Sequence, residues 1–115
     1  MKRVLVIERD RLHCELIGEW LGECGVVAVC PQGAEVPADI DAILVDVACQ
    51  QQAHAILTSW RRSYPRAPVV LASGRFSPGV TANDAMAMRL GVTRILAKPF
   101  TREDLWAALG LVPRH

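Results

Sequence analysis

The chain has 115 residues, 51% of them apolar and 22% charged, which fits one globular domain on one hydrophobic core and excludes a disordered chain. A net charge of +1 and an aromatic content of 5% give no electrostatic or base-stacking case for nucleic acid or a membrane surface as partner. No apolar run approaches the roughly 18 residues of a membrane span, and the four apolar residues after Met1-Lys2-Arg3 are too few for a signal-peptide core, so a cytoplasmic location is expected.

Val4, Leu5, Val6 and Ile7 form a short continuous apolar run, the pattern of a strand buried on both faces. Leu12, Leu16, Ile17, Trp20, Leu21 and Cys24 then recur at helical spacing, with Arg9 or Asp10 at the start and Gly25 at the stop. Residues 26–29 read as a second strand. Residues 31–39 hold Pro31, Gly33 and Pro37, so a full helix there is not expected. Residues 42–45 form a third buried strand that ends at Asp46. Ala53, Ile56, Leu57 and Trp60 give a second amphipathic helix, closed before Pro65.

Residues 69–72 are a fourth strand, 75–79 a loop, and 85–90 a helix stopped by Gly91. Residues 94–97 are a fifth strand. Thr101 can cap a last helix through Leu109, with Glu103 and Asp104 in its first turn. Strands alternate with helices and no hairpin signal joins adjacent strands, which predicts parallel pairing through right-handed crossovers. The expected fold is a single α/β domain over residues 1–115, a doubly wound five-stranded parallel sheet. Cys14, Cys24, Cys30 and Cys49 include no C-x-x-C pair and are read as reduced, mostly buried thiols.

In an open parallel sheet, sites form beyond the carboxyl ends of the strands. This chain delivers Glu8-Arg9-Asp10 after strand one, Asp46 after strand three, Ser73-Gly74 after strand four and Lys98-Pro99 after strand five. Polar residues must follow buried strands in any case, which accounts for part of the pattern. Carboxylates, a hydroxyl and an ammonium converging from four separate strands are not explained that way.

With these residues in view, the chain resembles the receiver domains of two-component response regulators nearly end to end. Residues 4–10 resemble the family's first strand and acidic pair, and 41–46 the strand ending in the phosphorylated aspartate. Residues 68–74 resemble the strand ending in Thr/Ser, and Ile95-Leu96-Ala97-Lys98-Pro99-Phe100 the closing strand with its Lys-Pro, the most specific of these signals. The resemblance implies a flavodoxin-like sheet of order 2-1-3-4-5. It makes Asp46 the phosphoacceptor, Ser73 the switch hydroxyl and Lys98 the partner of the phosphoryl oxygens, with Pro99 after a cis peptide bond. It implies a module that is not an enzyme and works in two-component signalling or a phosphorelay. Its partners would be a histidine kinase or phosphotransfer protein and a downstream protein, with the last helices and fifth strand as a homodimer or partner face.

The chain departs from the family pattern at several switch positions. Arg9 stands where the second acidic residue is expected, and a guanidinium cannot coordinate Mg²⁺. The metal set is therefore Glu8, Asp46 and the Ala48 backbone carbonyl, with Asp10 as a substitute, and Mg²⁺ binding is expected to be weak or absent. Two alternatives follow for Arg9: it points to solvent, or it forms a salt bridge with Asp46 that replaces the metal. The loop after Asp46 lacks the usual Met-Pro and Asp-Gly. Ile95 replaces the switch aromatic, and the short segment between strands two and three leaves the second helix shortened or missing. A phosphorylation-independent pseudo-receiver that acts as a docking module is the alternative.

A cofactor-binding flavodoxin-like domain is a third reading, but no Gly-rich phosphate loop follows any strand and Glu8-Arg9-Asp10 would repel a phosphate. Asp10-Arg11-Leu12-His13 misses the Asp-x-His spacing of cobalamin modules by one residue. His13 and His54 read as surface or core-edge residues rather than ligands.

Overall fold

The computed structural model describes residues 1–31, 36–47, 50–73 and 91–114. Its elements in chain order are β1 (Arg3–Ile7), α1 (Arg11–Gly22), β2 (Val27–Val29), β3 (Ala42–Val47), α2 (Gln50–Ser63), β4 (Val69–Ser73), β5 (Arg94–Ala97) and α3 (Arg102–Leu109). The strands form a five-stranded sheet of order β2-β1-β3-β4-β5. Every adjacent pair is parallel. The helix expected over 85–90 lies outside the described residues, as do Ala48, Cys49 and Gly74. Among the described residues between β2 and β3 there is no helix. That stretch is held instead by the Tyr64 hydroxyl, which donates to the Pro37 carbonyl at 2.7 Å.

Alternation along the central strands explains the two layers. Val4, Val6, Ala42, Leu44, Val70 and Ala72 face one side, where Cys14, Ile17 and Leu21 of α1 and Leu105, Trp106 and Leu109 of α3 cover them. Leu5, Ile43, Val45, Val69 and Leu71 face the other side and pack with Leu57 of α2 and Val92. Successive side chains of a strand point to opposite faces, so a strand covered on both sides must be apolar throughout. That is why the central strands read as unbroken runs. The edge strands are more open: Val27 in β2 and Arg94 in β5 are exposed. No helix among the described residues is long and apolar enough to cross a membrane.

Helix starts follow local chemistry. The Asp10 carboxylate caps α1 by accepting the N–H groups of Leu12 at 3.0 Å and His13 at 3.4 Å. Thr101 and Asp104 form a reciprocal capping box at α3, with each side chain accepting the other's backbone N–H, at 3.1 and 3.0 Å. Thr101→Ala should therefore cost about 1 kcal/mol, within the usual range of ~0.5–2. A urea denaturation midpoint that does not move would show that the cap contributes nothing to α3.

The reading of the cysteines as reduced thiols needs correction. Cys14 on α1 and Cys30 beyond β2 are joined in a disulfide, while Cys24 is free and buried. The two partners are 16 residues apart in sequence, with no motif to pair them. The right-handed crossover lays α1 against the sheet while β2 returns beside β1, and this brings the first turn of α1 to the carboxyl end of β2.

Candidate functional site

The parallel register sets four strand ends level. Ile7 is opposite Val45, Asp46 opposite Ala72, Val47 opposite Ser73 and Ser73 opposite Ala97. Glu8 leaves β1, Asp46 sits near the end of β3, Ser73 closes β4 and Lys98 follows β5, so all four arrive at the carboxyl edge. Ser73 is fully buried, and its carbonyl accepts the Lys98 N–H at 3.1 Å. The Lys98–Pro99 peptide bond is cis. Ile95, in the middle of β5, packs toward the α2 face.

The Lys98 ammonium makes an ion pair with the Asp46 carboxylate and lies 3.6 Å from Glu8 Oε2. Glu8 has only 4% of its side chain exposed. Its Oε2 is 2.7 Å from His13 Nδ1, and its Oε1 accepts the Asp10 N–H at 3.1 Å. Two carboxyls thus share one ammonium inside a partly buried cluster, with an imidazole on the far side.

Burial pushes the Asp46 carboxyl up, and its hydrogen bond with Glu8 pushes it further. Lys98 offsets part of this, and the result is about 6 against an ordinary 3.8. Burial alone would also raise Glu8. Its hydrogen bonds with Asp46, the Asp10 amide and His13, together with the charge of Lys98, outweigh that and hold it at about 2. Carboxyls this close cannot both ionise freely, so one gives up its proton early and the other late. The Asp46 side chain remains 15% exposed. Its side chain helps line a cleft of about 220 Å³ with Glu8, Arg9, Cys30, Ile56 and Trp60.

Arg9 takes the solvent-facing alternative, and Asp10 has another role. Arg9 stands exposed at the rim of this cleft. It forms no ion pair among the described residues, so the Arg9–Asp46 salt bridge is not made. Glu8 turns inward toward β3 and the residue after it turns outward, which leaves Lys98 as the counter-charge. Asp10, considered as a substitute metal ligand, is spent on capping α1 and does not reach the cluster. The Ala48 carbonyl lies outside the described residues.

His13 is the residue that sequence reasoning missed. Glu8, His13 and Asp46 each offer a ligand atom, all within 4.8 Å of one another, a group able to hold a metal ion. One signal was present: with Asp10 as N-cap, His13 is the third residue of the helix, the position whose side chain reaches back toward the residues before the helix. This donor set is not the all-oxygen octahedron that Mg²⁺ requires.

Sheet order, register and the layered helices define the class: this is the fold of response-regulator receiver domains. A response regulator from Thermotoga maritima superposes with a TM-score of 0.73 at 17% identity, over 96% of this chain and 95% of that one. A CheY-like receiver domain protein from Methanospirillum hungatei gives 0.71 at 16% identity, over 96% and 91%. The receiver domain of a Francisella response regulator gives 0.71 at 20% identity, over 96% and 94%. In sequence, the chain is similar to the transcription factor SKN7 of Candida albicans, 30% identical over 114 residues. That match takes in 92% of this chain but 20% of the relative, so the chain spans about a fifth of its length. No family model matches the chain.

Proposed function

We propose that this domain is a phosphoacceptor receiver of a two-component or phosphorelay system, cytoplasmic and not itself an enzyme, that signals through protein contacts. The observation that carries this reading is Asp46, nucleophilic in type, paired with Lys98 and flanked by Glu8 at the carboxyl edge of the sheet. An Asp46 oxygen attacks the phosphorus of a phosphohistidine on a kinase or phosphotransfer protein. The P–N bond breaks, its electron pair stays on the imidazole, and an acyl phosphate forms on Asp46. Lys98 offsets the charge on the phosphoryl oxygens, and the buried Ser73 hydroxyl is the group that charge would draw in. Mg²⁺ plays a weak part at most, because Arg9 replaces one acidic ligand and Asp10 is committed to the helix cap.

The test is exposure to a small acyl-phosphate donor followed by intact mass. Gain of one phosphoryl group, lost in Asp46→Asn, is expected. No gain in either protein sinks the phosphoacceptor reading. The second reading, a pseudo-receiver docking module, is favoured by exposed Arg9 and by the ion pair that already satisfies Asp46. It expects no labelling and partner binding that is indifferent to Asp46→Asn. A flavodoxin-like cofactor domain would instead show visible absorbance when purified.

A further inference from the structure

We infer that Glu8, His13 and Asp46 form a site for a divalent first-row ion that accepts imidazole nitrogen as well as carboxylate oxygen, of which Zn²⁺ is representative, in place of Mg²⁺. The three donors come from three elements: the end of β1, the first turn of α1 and the end of β3. Their ligand atoms lie within 4.8 Å of one another, and all three residues are partly buried.

The chemistry of the donor set selects the ion. Mg²⁺ binds through carboxylate and water oxygens in a strict octahedron and gives up its water reluctantly. Here it would meet two carboxylates, an exposed guanidinium in place of a third, and the Lys98 ammonium held between the two. Displacing that ammonium for two oxygen contacts gains little. An ion that also bonds an imidazole gains a third protein ligand, and three protein ligands with one open position is a common arrangement for Zn²⁺. Imidazole suits Zn²⁺ and its first-row neighbours, whereas all-oxygen sets suit Mg²⁺.

His13 is held in place from independent directions. Its backbone N–H is bound by the Asp10 cap, and its ring packs on Phe100 with centroids 5.6 Å apart. The next residue, Cys14, is tethered through its disulfide to Cys30, at the cleft beside Asp46. A ligand fixed in this way binds with little ordering cost. Glu8 Oε2 and His13 Nδ1 already face each other at 2.7 Å, and an ion entering there replaces the proton they share.

This site uses residues of the proposed phosphoacceptor centre, but it is probed with no phosphodonor present, so the two readings fail separately. Asp46 labelling with no His13-dependent Zn²⁺ site sinks this inference alone. A His13-dependent site without labelling sinks the other alone. The experiment is calorimetric titration of the chelator-stripped chain with Zn²⁺ and with Mg²⁺. One Zn²⁺ per chain is expected, weakened at least about tenfold by His13→Ala and by Asp46→Asn. Mg²⁺ should bind weakly, and equally in wild type and His13→Ala. Zn²⁺ affinity unchanged in His13→Ala overturns the proposal. Zinc-edge X-ray absorption of the wild-type protein needs no variant. One imidazole with oxygen neighbours supports the site, and a shell containing sulfur, or one with no imidazole, overturns it.

Discussion

Lys98→Ala is expected to slow labelling of Asp46 by an acyl-phosphate donor about 10²–10³-fold, the usual loss when one preorganised charge-stabilising donor is removed. Two effects combine. The charge that builds on the transferring phosphoryl group loses its ammonium, and Asp46 loses the partner that offsets burial and its hydrogen bond with Glu8. Its carboxyl then rises further, and less of it is ionised at neutral pH. Part of the lost rate should return as the pH is raised, which separates this second effect from the first. Lys98→Arg should restore the charge without restoring the rate, since a planar guanidinium cannot sit as a point charge between Asp46 and Glu8. Stopped-flow tryptophan fluorescence or timed intact mass reads the rate. Wild-type labelling by Lys98→Ala would remove Lys98 from the mechanism.

The pH dependence of stability is the second large effect. Asp46 stands at about 6 in the folded chain against an ordinary 3.8, so the folded state holds its proton more tightly than the unfolded state. Its contribution is fully present below the unfolded value and is lost as the pH rises through about 6. Allowing for solvent screening of a half-buried group, the difference amounts to on the order of 1–2 kcal/mol, or a fall in Tm of roughly 5–10 °C for a domain of this size. Glu8 has the opposite sign. Held at about 2 against 4.5, its contribution is present above the unfolded value and is lost as the pH falls through about 2. Taken together, these two contributions favour the fold most near about pH 4 and weaken on both sides. In chelator-treated buffer, Asp46→Asn should keep the acid limb and lose the decline between about pH 4 and 6.5. Identical slopes in the two proteins over that window would show that Asp46 carries no such strain.

Ionised Asp46 is thus a local cost that the rest of the fold carries. The same burial that raises its pKa strengthens its attraction to Lys98. A residue chosen for stability alone would be Asn. Buried carboxyls held against their preference are a usual mark of functional positions.

The architecture and the identity of most groups at the sheet edge are legible in the amino-acid sequence. Val4-Leu5-Val6, the run ending at Asp46, and Val69 to Ala72 are apolar without interruption because each strand is covered on both faces, and that constraint acts on every residue in turn. Parallel pairing follows from the same runs, whereas the order 2-1-3-4-5 came from the resemblance to receiver domains and is the order the structure has. Capping residues such as Asp10 and Thr101 were also legible, because a cap acts within one turn of its helix. Who meets whom is set by the folded chain. Asp46 and Lys98 are 52 residues apart, and the register of β3, β4 and β5 alone sets them side by side. Arg9 left two alternatives open, solvent or a pair with Asp46, and its exposed place at the rim decides for solvent. His13 carried no motif, yet helix capping and the Cys14–Cys30 tether turn it onto Glu8. Burial patterns are local sums that a sequence displays. Counter-charges and ligands depend on distances between elements, and these exist only once the chain has folded.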